Sequence, residues 1–199
     1  LAVAYHHISS GALTIPVPNV AARTPFTCGA SALLAVSTYY GVGPDTEKEM
    51  VGLLRRCGFD RRAGTQPHQL KLAAEMIGLR TREYSGMSRR ALLAHLRRRQ
   101  PVLLTIQAWG RNRSRSRIRV YKDVWSQGHW VVAIGFDDNG VFLEDPSLEA
   151  SRGYLPFVEL DACWHDTGRK GCRILRYGLV LWKPNWRGCG YLTLARQLE

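Results

Sequence analysis

The stretch Thr24-Pro25-Phe26-Thr27-Cys28-Gly29-Ala30-Ser31-Ala32-Leu33-Leu34-Ala35-Val36-Ser37-Thr38-Tyr39-Tyr40-Gly41 sets the arrangement of everything around it. From Ala30 to Tyr40 it is apolar nearly all round, and a helix with no polar face belongs at the centre of a fold. Thr27 suits an N-cap and Gly41 a stop, so Cys28 falls at or beside the first helical position. A thiol there feels the positive end of the helix dipole and unpaired backbone N–H groups, both of which stabilise a thiolate. Gly29 leaves room for another part of the chain to come close. Taken alone, a cysteine in an apolar helix is more often a packing residue, so Cys28 is a nucleophile candidate that needs partners.

Working outward, residues 13–20 carry two prolines and read as extended, at most an edge strand. Downstream, Thr46-Glu47-Lys48-Glu49 has the capping-box pattern and opens a helix to Arg56, ended by Gly58. A third helix starts after Thr65, with Leu70, Ala73, Ala74 and Ile77 on one face, and closes at Gly78. Ser88–Arg99 forms a fourth, packing Leu92, Leu93 and Leu96; His68 and His95 fit exposed helix positions. After Pro101 the pattern changes: Val102–Ile106, 129–135 and 141–144 are apolar strands, the last two flanking the hairpin signal Asp137-Asp138-Asn139-Gly140. A short helix over Pro156–Cys163 and a strand over Ile174–Trp182 follow. Helices first and strands afterwards mean an α+β fold, with N-terminal helices on an antiparallel sheet.

The 199 residues make about one domain, 1–199, with 1–12 as a flexible N-terminal segment, long enough to bury a core without disulfide or metal. With 45% hydrophobic and 22% charged residues the chain is neither wholly disordered nor collagen-like. No apolar run approaches the roughly 20 residues of a membrane helix. The start Leu1-Ala2-Val3-Ala4 resembles the tail of a cleaved signal peptide, and the compartment, cytoplasmic or secreted, stays open. Lys and Arg number 28 against 16 Asp and Glu, a net charge of +12 concentrated in arginine bursts, which favours anionic partners through non-specific electrostatics. Five cysteines include no CxxC spacing; Cys163, Cys172 and Cys189 are enough for one disulfide. Cys163, His165 and Asp166 lack the spaced tetrahedral partners of a metal site, so neither metal nor cofactor is expected.

Two further residues give Cys28 its chemistry. His129 follows Gly128 and opens the strand Val131-Val132-Ala133-Ile134, where an imidazole can take the proton of a neighbouring thiol. Asp145, sixteen positions on, ends the partner strand, where a carboxylate can orient the imidazole and stabilise its cation. Each is weak alone, since Asp before Pro is an ordinary turn-former. Register adds a requirement. A two-residue Asn139-Gly140 turn pairs His129 with about residue 150, so a bulge or twist must draw Asp145 back.

The order helix-start Cys, strand His, then Asp one hairpin later is papain-like, and the chain resembles the C39-type papain-like cysteine peptidases, as a stand-alone relative of bacteriocin-processing domains. The likeness rests on Thr24–Gly29, Gly64-Thr65, Met87–Leu96, Pro101–Trp109, Gly128–Asp137, Glu144–Ser147 and Trp164-His165-Asp166, and covers nearly the whole chain. It implies Cys28 as nucleophile, His129 as general base and acid, Asp145 as orienting residue, and an oxyanion hole that includes the Cys28 backbone N–H. It also implies a glutamine six residues before the cysteine, but Ala22 stands there and has no side-chain donor; Arg23 or Asn19 are the nearby replacements. Losing one such donor costs roughly 10²- to 10³-fold in turnover.

Between Trp109 and Gly128, five arginines alternate from Arg111 to Arg119; if extended they project to one side, and Arg113 and Arg115 are candidate contacts for acidic substrate residues. Trp130, beside His129, is a third candidate substrate contact. The leading expectation is hydrolysis of a peptide or protein substrate, after a glycine-rich leader by the resemblance, with a peptide exporter as the implied partner. The alternatives are a degenerate peptide-binding module, motivated by Ala22, and an acyltransferase that resolves the thioester with an amine. A nucleic-acid binder ranks last, because arginines explain none of the Cys, His and Asp arrangement.

Overall fold

A computed structural model describes residues 12–61, 64–109, 121–168 and 171–186. Its first helix, α1 (Cys28–Tyr40), is buried along nearly its whole length, as an apolar circumference requires. It ends at Gly41, whose left-handed φ of 59° lets its N–H reach back to the carbonyls of Ser37 and Thr38. Helix α2 (Glu47–Arg56) has the expected capping box: Thr46 Oγ1 accepts the Glu49 N–H and Glu49 Oε2 accepts the Thr46 N–H. Helix α3 (Pro67–Met76) starts on a proline, and α4 (Arg89–Arg97) on Ser88, whose Oγ accepts the Ala91 N–H.

The strands are β1 (Leu13–Thr14), β2 (Arg80–Tyr84), β3 (Val102–Gln107), β4 (Gly128–Phe136), β5 (Gly140–Glu144), β6 (Gly153–Pro156), β7 (His165–Thr167), β8 (Arg173–Leu175) and β9 (Gly178–Trp182). One antiparallel sheet runs β2-β9-β3-β4-β5-β6, with β1 against the far end of β4, and β7 and β8 form a separate pair. Strands β3 and β5 are buried throughout and β4 nearly so, because α1 and α4 cover β4 while β7 closes over the ends of β3 and β4. A short helix, α5 (Phe157–Cys163), follows β6. The α+β architecture with helices on an antiparallel sheet is the one the sequence implies.

Four expectations need correction. The run Ile174–Trp182 is two strands, not one: Gly86 and Met87 N–H groups take the Leu175 and Arg176 carbonyls, and the chain turns at Arg176 with φ 45° before β9 begins. The hairpin turns on Asp138 and Asn139, not on Asn139-Gly140. The Asp137 carboxylate accepts the N–H groups of Asn139 and Gly140, each at 2.8 Å, and closes the turn one residue early. Gly140 is glycine for another reason, since a Cβ there would overlap the Leu155 carbonyl of β6. His95 is buried, its two ring nitrogens bonded to Tyr84 Oη at 2.9 Å and Gln100 Oε1 at 2.7 Å, so it is a structural histidine and not an exposed one. Finally, Cys163 and Cys172 are free thiols, as are Cys28 and Cys57; Cys189 lies outside the described residues.

Candidate active site

The site is assembled where α1 begins and β4 emerges. Thr27 occupies the position before α1, but its hydroxyl turns back to donate to the Thr24 carbonyl at 3.0 Å instead of capping the helix. The N-terminus of α1 therefore has no side-chain cap and no acidic residue in its first turn, and its N–H groups and dipole are directed at what lies beside Cys28. Cys28 is half-buried. Gly29 lies so close to Thr65 that a Cβ there would come within 2.7 Å of the Thr65 Cβ, which fixes the loop before α3 against the start of α1.

The β4–β5 register brings the carboxylate to the imidazole. Phe136 faces Val141 near the turn, the pairing shifts between Ala133 and Gly135, and beyond the bulge Val132 faces Glu144. Asp145 then falls level with Val131, on the same face as His129 and diagonal to it, which is within reach of a side-chain pair. His129 Nε2 meets Asp145 Oδ1 at 2.6 Å, with both side chains almost wholly buried. The Cys28 side chain lies close enough to His129 to favour its charged form, and with Nε2 taken by Asp145, Nδ1 is the nitrogen left to meet the sulfur. Burial alone would lower the His129 pKa, but Asp145 and Cys28 outweigh it and raise it to about 9. The Asp145 carboxyl titrates below its ordinary range: burial pushes it up, while His129 and the Ser147 N–H and Oγ–H pull it down further. At neutral pH His129 is thus an imidazolium, held between the Asp145 carboxylate and the Cys28 sulfur.

Several residues hold this group in place, in roles the sequence alone does not reveal. Glu144, the residue before Asp145, is fully buried and accepts from Asn19 Nδ2, the Val20 N–H and Arg152, which ties the extended segment after β1 to the Asp145 turn. The Ala22 N–H donates to the Pro146 carbonyl at 2.7 Å and continues the same seam. Trp109, half-exposed, lies on the His129 ring with centroids 5.0 Å apart, where its π face favours an imidazolium.

The sequence-derived site residues fall into three groups. Cys28, His129 and Asp145 come together. Ala22 sits on the seam just described and contributes no side-chain donor, and the two proposed replacements are occupied: Asn19 Nδ2 bonds Glu144 and the carbonyls of Leu148 and Ser151, and the exposed Arg23 pairs with Glu47 at 3.9 Å. Trp130 is buried, its indole N–H donating to the Thr65 carbonyl at 2.8 Å, so it braces the loop beside Gly29 and is not a substrate contact. Arg113 and Arg115 lie outside the described residues. Among the described residues no group of His, Cys, Asp and Glu is arranged to hold a metal ion, and no helix is long and apolar enough to cross a membrane.

This α+β fold is shared with solved peptidase domains. A protein from Bacillus anthracis described as a C39-like peptidase matches with a TM-score of 0.62 at 15% identity, over 90% of this chain and 100% of that one. The peptidase domain of Streptococcus ComA, a bi-functional ABC transporter involved in a quorum-sensing pathway, matches with a TM-score of 0.57 at 16% identity, over 82% and 96%. A double glycine motif protease from an AMS/PCAT transporter, solved in complex with the leader peptide, matches with a TM-score of 0.54 at 19% identity, over 87% and 95%. At these identities the likeness establishes the papain-like fold. The family follows from the sequence: the model of the Peptidase_C39 like family matches residues 14–172, and the chain belongs to that family. No curated protein matches it.

Proposed function

We propose that the protein is a cysteine peptidase in which Cys28, His129 and Asp145 form the catalytic group. The observation that carries this is His129, buried, bonded to Asp145 and close enough to the Cys28 side chain to feel it, at an uncapped helix N-terminus. The Cys28 thiolate adds to the carbonyl carbon of the scissile bond, and the carbonyl π electrons move to oxygen, facing the Cys28 N–H. His129 gives its proton to the leaving nitrogen as the C–N bond breaks and the thioester forms. Water, losing a proton to His129, then adds to the thioester; the C–S bond breaks, and the acid and the thiol are released. Asp145 keeps the imidazole oriented and its cation stabilised throughout.

The substrate in this reading is a peptide cleaved after a small, glycine-rich leader junction, supported by the family match and by the leader peptide bound to one structural neighbour. Association with a peptide exporter belongs to the same reading. A second reading, a peptide-binding module that no longer cleaves, is favoured by one observation: Ala22 has no amide to offer, and Asn19 and Arg23 are engaged elsewhere. Mass spectrometry of peptides carrying a Gly-Gly junction decides between them. Peptidase action predicts slow cleavage by the wild type, about 10²-fold or more acceleration by Ala22→Gln, and none by Cys28→Ala. Equal peptide affinity in wild type and Cys28→Ala, with no product even from Ala22→Gln, overturns it in favour of binding.

A further inference from the structure

Of the six tryptophans in this chain, five are accounted for by packing. Trp130 and Trp164 are buried, and their indole N–H groups donate to the Thr65 and Tyr177 carbonyls, each at 2.8 Å. Trp125 lies between His165 and Arg173, Trp186 stacks on Tyr39 and Tyr40, and Trp182 packs against the core from β9. Trp109 alone is exposed, with 47% of its surface in water. A single exposed apolar side chain says little by itself. Here the covered half rests on the ring of His129, with centroids 5.0 Å apart and planes at 50°. The backbone holds it there. Trp109 lies just past the end of β3, whose Ile106 and Gln107 pair with His129 and Gly128, and the Ala108 N–H then donates to the Gln127 carbonyl at 3.0 Å. Gln107 Oε1 accepts the Gln127 N–H at 2.9 Å, so the segment carrying the indole is fastened to the one carrying the imidazole. The open half of the indole therefore faces solvent beside the reacting groups.

Resting on the reading of His129 as the group that gives its proton to the leaving nitrogen, we propose that Trp109 is a specificity-determining residue. Its open face receives the side chain of the residue just after the scissile bond and selects an apolar one. The leaving nitrogen belongs to that residue and must come within hydrogen-bond reach of His129. A ring lying on His129 therefore borders that residue's side chain. The indole offers it a broad, rigid apolar surface, on which a leucine or a phenylalanine gains more than an alanine. A cationic side chain also suits an indole face. At this one, however, the His129 imidazolium already lies against the ring and repels a second cation.

The test is titration calorimetry of Gly-Gly-junction peptides with Ala, Leu or Lys directly after the junction. The protein is Cys28→Ala, which cannot cleave them, alone and combined with Trp109→Ala or Trp109→Phe. Covering half an indole with leucine should make the Leu peptide bind about tenfold tighter than the Ala or Lys peptide. Trp109→Ala should abolish that ratio and Trp109→Phe keep most of it, whereas a loosened site would weaken all three peptides together. A ratio unchanged by Trp109→Ala overturns the proposal, as does equal or undetectable binding of the three peptides to Cys28→Ala. Cleavage is read separately. Product from the wild type with no preference in affinity refutes the subsite and leaves the peptidase reading standing. A Trp109-dependent preference with no product, even from Ala22→Gln, upholds the subsite and refutes the peptidase reading instead.

Discussion

Replacing Asp145 with alanine separates the opposing forces on His129. In the wild type, burial lowers the imidazole pKa, and the short bond to Asp145, with Cys28, reverses this and carries it to about 9. Without the carboxylate the desolvation and the influence of Cys28 remain but one of the two counterweights is gone, so the midpoint should fall from about 9 toward the ordinary 6.5. A full return to 6.5 is a loss of about 300-fold in proton affinity. Stability follows with a definite sign. A folded-state pKa above the unfolded one adds stability that is fully present below about pH 6.5 and lost as pH rises through about 9. The whole contribution is roughly 3 kcal/mol and Asp145 supplies part of it, so the stability gap between wild type and Asp145→Ala should shrink by up to about that much between pH 6 and pH 10. The assays are the His129 Cε1–H titration and urea unfolding at the two pH values. A variant imidazole still titrating near 9, or a gap that widens with pH, would refute the reasoning.

Two other substitutions probe the scaffold around the site. Glu144→Ala removes the acceptor shared by Asn19, Val20 and Arg152, and breaking a buried ion pair of this kind costs about 3–5 kcal/mol; amide exchange at Val20 should accelerate, and protection unchanged there would contradict the seam described. Gly29→Ala places a methyl 2.7 Å from the Thr65 Cβ, an overpacking of about 1–3 kcal/mol in urea melts. Thr65→Gly in the same chain should return most of it, and a lack of recovery would show that the strain lies elsewhere.

How much of this was legible in the sequence depends on the kind of signal. The helices were, because their information is local: a circumference without polar residues at α1, a Thr46–Glu49 box at α2 and Ser88 before α4. The central strands were too, as continuous apolar runs bounded by Pro101 and Asp137. Strand β2 was not, since Arg80–Tyr84 is an edge strand with most of its side chains in water and shows no apolar alternation. Residue types and their order point to Cys28, His129 and Asp145 and to the need for a bulge, but not to its place between Ala133 and Gly135, beside the residues of β4 that pair with β1. Trp130 and His95 were misjudged because an amphipathic ring gives no hint from sequence of whether its polar atom finds a buried partner. The bracing roles of Gln107, Glu144 and Asn19 are hidden for the same reason: most of their partners are remote in the chain, as far as 132 residues away.

The central claim is that His129 activates Cys28, and alkylation of Cys28 by iodoacetamide, followed by mass spectrometry across pH, tests it most directly in wild type and His129→Ala. The account predicts labelling of the wild type already fast at about pH 6 that depends on the proton His129 holds up to about 9 and collapses in the variant. Equal, slow labelling in both proteins, rising only in alkali, would contradict it.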